Sequence, residues 1–138
     1  MRKTSNSLEI ETFFSALTDR TRLRLLNLMS DQEVCVCFLV EVLQVSQPKI
    51  SRHLAYLRHS GLVSARREGK WMHYSINPLV NPYLARFFQE LKKWFAQDHQ
   101  MLLDRERFLN VCCCIEFPAH LLGIPRPSKI AVNKKKSD

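Results

Sequence analysis

SQPKISRHLAYLRHSGLVSARREGKWMHYSI, residues 46–76, is the stretch whose reading decides the fold. Ser46 is a favoured N-cap residue, since its hydroxyl can accept from an otherwise unpaired N–H of the first turn. Pro48 falls in that turn, where a missing N–H costs nothing. Ile50, Leu54, Leu57 and Gly61 follow at helical spacing and draw one narrow apolar stripe facing a core. The opposite arc holds Ser51, Arg52, Ala55 and His59, with Gln47 and Lys49 near the start, and nothing on it asks to be buried. Gly61 predicts the stop, as a left-handed residue just past the helix.

A ribbon follows. Val63 and Ala65 alternate with Ser64 and Arg66, and Met72, Tyr74 and Ile76 alternate with Trp71, His73 and Ser75. Arg67-Glu68-Gly69-Lys70 is expected to make the turn between them, of undetermined type because Glu-Gly is a weak hairpin signal. A helix with a polar arc, then a cationic hairpin, predicts a winged helix-turn-helix: mainly α, with a two-stranded β-wing. Such a helix fits a DNA major groove and the wing fits the phosphates beside it.

VSQPKISRHLAYLRHSGLV and REGKWMHYSI resemble the DNA-binding segment of the ArsR family of metalloregulatory repressors, and the resemblance runs upstream through ALTDRTRLRLL and EVCVCFL, over roughly residues 10–80. It implies a DNA-binding repressor, not an enzyme, that reads an inverted-repeat operator as a homodimer. Gln47, Ser51 and His53 become candidates for base edges, with Ser46 beside them at the helix start; Lys49, Arg52, Arg66, Arg67 and Lys70 become candidates for phosphates, Arg52 for either. His53 lies partly toward the core stripe and is equally suited to packing.

The third helix is expected over Val34–Leu43, with Val36, Leu39, Val40 and Leu43 as its core stripe. Cys35 and Cys37 then lie either side of the stripe in the first turn, where the helix N-terminus favours thiolates and hence a soft ion. Residues at i and i+2 do not face each other on a regular helix, so closing both sulfurs on one ion is expected to distort that turn. EVCVCFL resembles the arsenic-sensing ELCVCDL box of ArsR repressors, whose cysteines bind As(III) or Sb(III); the resemblance makes Cys35 and Cys37 the first two ligands. Two positions depart from the pattern: Val40 stands where many relatives have a third cysteine, and Phe38 replaces the Asp. Cys112, Cys113 or Cys114, of the same or the partner subunit, are candidates for a third sulfur. Soft-thiolate chemistry also admits Cd(II), Pb(II), Zn(II) or Cu(I), and the CCC run admits a thiol-redox switch.

The 138 residues predict one winged-helix and dimerisation domain, 1–108, and a Cys-containing, Pro-rich, basic extension, 109–138. A net charge of +8 suits a polyanionic partner. No uninterrupted apolar run of about 18 residues is present for a membrane span. The start, MRKTSNSLEIETFF, lacks the apolar region of a secretory signal, so a cytoplasmic protein is expected. The odd count of cysteines in clusters is not a secreted disulfide framework. With three glycines, no phosphate-cradling loop and no CxxC, enzymatic signatures are missing. Asn77-Pro78 and Asn81-Pro82 read as helix starts, and Leu84, Phe87, Phe88, Leu91, Trp94 and Phe95 make one long helix, to about Phe108, wide and aromatic. That surface predicts a homodimer through the first and last helices. Asp98 and His99, being adjacent, do not predict a carboxylate–histidine Zn(II) site of the kind some relatives carry.

Overall fold

The computed structural model describes residues 8–113 and Gly123; Cys114 and the rest of the extension lie outside the described residues. Helix α1 spans Ile10–Ala16 and α2 spans Arg20–Met29, the latter capped by Asp19, whose carboxylate accepts from the N–H of Arg22 at 3.1 Å. A two-residue strand β1, Val34–Cys35, runs directly into α3, Val36–Leu43. Helix α4 spans Gln47–His59, strands β2 and β3 span Val63–Glu68 and Trp71–Ile76, and helices α5 and α6 span Pro82–Phe95 and His99–Cys113.

Helix α4 buries Ile50, Leu54 and Leu57, as the stripe requires. Its end is a Schellman motif: Gly61 takes φ +88°, its N–H donates to the Arg58 carbonyl, and the Leu62 N–H donates to the Leu57 carbonyl. Ser46 is the N-cap, but its hydroxyl makes no cap hydrogen bond. Pro48 removes one of the N–H groups such a hydroxyl reaches, which leaves it a poorer target. The wing strands pair from Val63↔Ile76 to Glu68↔Trp71, so the turn is only Gly69-Lys70, with Gly69 at φ +59°.

Three expectations need correcting. The wing sheet has a third strand, in the order β1-β3-β2, because Val34 and Cys35 pair with Tyr74 and His73. Cys35 is therefore extended (φ −69°, ψ 141°) and serves as the N-cap of α3 instead of lying in its first turn. Asn77-Pro78 does not start a helix. Asn77 instead clasps the end of α4: its side-chain amide donates to the Gly61 carbonyl at 2.7 Å and its N–H to the Leu62 carbonyl at 2.9 Å. Asn81 alone makes the helix cap, accepting from the N–H groups of Tyr83 and Leu84.

The long C-terminal helix is also two. It ends at Phe95 and restarts at His99, where the Asp98 carboxylate accepts from the N–H of Met101 at 3.2 Å while it holds Arg20 at 3.0 Å. Helix α6 turns back onto α2 and α3 and runs through residue 108, so the expected domain boundary falls inside it. Arg24 ties three elements: it pairs with the fully buried Asp104 of α6 at 2.7 Å and reaches the Leu43 carbonyl at the end of α3 at 3.4 Å. Asn27 donates to the Met101 carbonyl and accepts from Arg105. Near the other end of α3, Phe38 meets Phe108 edge to face, ring centroids 6.3 Å apart. Leu43 lies at the level of Asp104 and Phe38 at the level of Phe108, so α3 and α6 run antiparallel.

Candidate nucleic-acid interface and thiol pair

Gln47, Lys49, Ser51 and Arg52 are all exposed on the outer arc of α4, with Ser46 at its start. Tyr56 is exposed beside them, a residue the sequence reading did not single out; its ring lies 4.2 Å from the guanidinium of Arg22, which braces it from α2. His53 turns inward. Its side chain is only 16% exposed, with the ring 3.4 Å from Arg22 and 3.8 Å from Asp19, and burial holds its pKa below the ordinary histidine value. Of the two roles open to His53, the geometry gives it packing between α4 and the start of α2.

On the wing, Arg67 and Lys70 project into solvent, Lys70 with its Nζ 5.4 Å from the Trp71 ring centre. Arg66 is exposed but engaged: it grips Glu33 through both carboxylate oxygens, at 2.6 Å in the shortest contact, and Glu68 at 3.1 Å. That grip holds the Glu33 carboxyl below its usual pKa. Glu33 stands two residues before Cys35, a tie that nothing in the sequence pattern announces.

Cys35 is 1% exposed and Cys37 half-buried, and both are reduced thiols. Because Cys35 is a strand residue and Cys37 a helical one, the interacting pair spans a strand–helix junction and not a regular helical turn. The expectation of an easily formed Cys35 thiolate is corrected. Burial pushes its thiol up to about 11, aided by the charge of nearby Cys37 and outweighing the pull of the Cys37 and Val36 amides. Helix-terminus stabilisation is real but smaller than the desolvation of a buried sulfur. In register with Cys35 stands the buried His73, and beyond it Arg66, a row of three side chains crossing the sheet from thiol to wing. Cys112 is buried on α6; the side chain of Cys113, and Cys114, lie outside the described residues. Among the described residues, no three Cys, His, Asp or Glu side chains stand close enough to hold a metal ion.

A family profile described as "Bacterial regulatory protein, arsR family" matches residues 19–65, from the cap of α2 into β2. The arsenical resistance operon repressor of Escherichia coli K12 is 49% identical over 78 residues, which are 56% of this chain and 67% of that one. A probable mercury resistance operon repressor of Streptomyces lividans is 38% identical over 106 residues, 77% of this chain and 75% of that one. The chain belongs to the arsR family. Among solved structures, HlyU from Vibrio cholerae superposes with a TM-score of 0.56 at 29% identity, over 63% of this chain and 91% of that one. The arsR match takes in the thiol pair and the recognition helix but stops before the wing tip, α5 and α6. No helix of the described residues is long and apolar enough to cross a membrane.

Proposed function

We propose that this arsR-family chain is a dimeric repressor that leaves its operator when As(III), Sb(III) or a related thiophilic ion is taken up by Cys35 and Cys37. The observation that carries this reading is the position of the thiol pair. It sits at the junction of β1 with α3, where one backbone pairs with the wing strand and then leads to the recognition helix. At the far end of α3, Gln44 holds a left-handed conformation (φ +56°) unusual for a non-glycine residue, and α4 begins three residues on. A change in the sulfur positions therefore bears on both DNA-facing parts. The donor chemistry fits: two thiols side by side suit a soft ion better than a hard one. The relatives, an arsenical resistance operon repressor and a probable mercury resistance operon repressor, support the same class of inducer.

In this reading Gln47 and Ser51 face base edges, Lys49, Arg52, Arg67 and Lys70 face phosphates, and His53 positions the helix. The dimer uses exposed apolar residues of α1 and α5: Phe14 and Phe87 meet at 5.2 Å and both remain over two-fifths exposed, and Ile10, Tyr83 and Trp94 of the same two helices are exposed as well. Helix α6, packed on its own protomer, is replaced by α5 as the last interface helix. Two recognition helices then read half-sites about one helical turn apart.

The test is operator binding with and without arsenite. Cys35→Ser and Cys37→Ser are expected to bind DNA like the wild type and to stay bound when arsenite is added. A coupling of about 1–3 kcal/mol makes the wild-type loss roughly 5- to 150-fold. Arsenite release persisting in both variants would remove the pair as the sensor.

A further inference from the structure

The thiol pair supplies two sulfurs, and trivalent arsenic takes three. We propose that the third is Cys112 of the same chain, brought to the pair by α6 lying antiparallel along α3, and that the site is completed only when the ion arrives. The proposal rests on the reading that Cys35 and Cys37 hold the ion.

Two contacts fix the alignment of the helices. Arg24 joins the Leu43 carbonyl to Asp104, and Phe38 meets Phe108. Continuing along α6, Cys112 lies four residues past Phe108, about 6 Å of helix rise; back from Phe38, Cys35 lies two helical steps and one extended step away, also about 6 Å. Cys35 and Cys112 therefore fall at the same end of the helix pair, about equally far beyond the Phe38–Phe108 contact. Cys112 also shares a face with Asp104 and Phe108, at spacings of four, and all three are buried. Its side chain is turned into the protein, on the side that carries Phe108 to Phe38.

The three sulfurs are not gathered beforehand, since no such trio stands within ion-holding distance among the described residues. Closing the site must draw the end of α6 and the start of α3 together. At the opposite end of the same helix pair, Arg24 links Asp104 to the Leu43 carbonyl, next to the left-handed Gln44. The movement that completes the site thus strains the junction before the recognition helix. The chemistry balances without a redox partner. Each thiol replaces one hydroxyl of arsenous acid: an S–As bond forms, an As–O bond breaks, and the thiol proton leaves with the hydroxyl as water. Arsenic stays trivalent. A high thiol pKa is no obstacle, because the proton departs with the leaving group.

The experiment is arsenic K-edge X-ray absorption on the full-length protein with one equivalent of arsenite and a non-thiol reductant. Wild type and the Cys113→Ser/Cys114→Ser double variant are expected to show three sulfur neighbours, and Cys112→Ala two sulfurs with oxygen. Circular dichroism and operator binding check that Cys112→Ala is folded; Cys112→Ser is the second variant for the case that it is not. Three sulfurs in both Cys112 variants, or a loss of the third sulfur in the double variant instead, would overturn the assignment while leaving the Cys35–Cys37 reading intact. Two sulfurs in the wild type would overturn it likewise. Arsenite bound without any sulfur, or not bound, would overturn that underlying reading as well. A mixed dimer of Cys112→Ala with Cys35→Ser/Cys37→Ser chains decides the same-chain claim: no three-sulfur site is expected, and recovery of one would place the third sulfur across the dimer.

Discussion

Cys35 is a weak acid because it is buried, and the sign of that effect reaches stability. Its thiol titrates at about 11 in the fold against 9.0 unperturbed, so the folded state favours the neutral form. The stabilisation is fully present below the unfolded value and is lost as pH rises from 9.0 to about 11. The melting temperature of the wild type is expected to fall across that window more steeply than that of Cys35→Ala, as followed by circular dichroism. Arsenite should protect the wild type in the same window, because a sulfur bonded to arsenic has no proton to lose. Neither His53 nor Cys35 revealed its surroundings in the sequence. The spacing puts His53 between the outer arc and the core stripe, and only the packing of Asp19 and Arg22 against it decides which way it faces. For Cys35, the CxC spacing was legible, but the extended backbone that brings the sulfurs together comes from pairing with His73, nearly forty residues away along the chain.

At the scale of elements, α6 is held by charge buried between helices. Asp104 is fully buried and Arg24 nearly so, with Gln100 and the Leu43 carbonyl completing the group. Removing one partner leaves the other charge uncompensated, which costs about 3–5 kcal/mol for a buried pair. Asp104→Ala is expected to lose stability on that order in urea unfolding. Leu102→Ala, on the exposed side of the same helix, is expected to change it by less than about 0.5 kcal/mol. The break that creates α6 left no mark in the sequence. Ala96-Gln97-Asp98 holds neither glycine nor proline, and Leu91, Trp94 and Phe95 continue smoothly into the spacing of Met101. Asp98 ends the run because it caps the next helix while paired to Arg20, a partner that only the tertiary fold supplies. Recognition helix and wing were legible because each carries its own local signals: Pro48 at the start, Gly61 at the stop, and apolar–polar alternation in the sequence through most of β2 and β3.

At the scale of the molecule, an excess of +8 is the long-range attraction toward a polyanion, but not every cation is available to it. Arg66 is already neutralised by Glu33 and Glu68, whereas Arg67 has open solvent around it. Each phosphate contact contributes about 0.9 to the slope of log affinity against log salt. Arg67→Ala is therefore expected to lower that slope by about one per protomer, and Arg66→Ala to leave it nearly unchanged. Equal slopes for the two variants, in a salt titration of operator binding, would mean that Arg66 abandons Glu33 on DNA.

Asn77 closes the base of the wing onto the last turn of α4, and Ser64 of β2 bonds to its carboxamide oxygen. Helix and wing are therefore braced to each other by their own hydrogen bonds, and the sensor joins them where β1 pairs with β3. Exchanging the outer-arc residues Gln47 and Ser51 should retarget the protein to another operator without retuning which ion dislodges it. A family of detectors for one toxic ion, each wired to a different promoter, is within reach of a few surface substitutions.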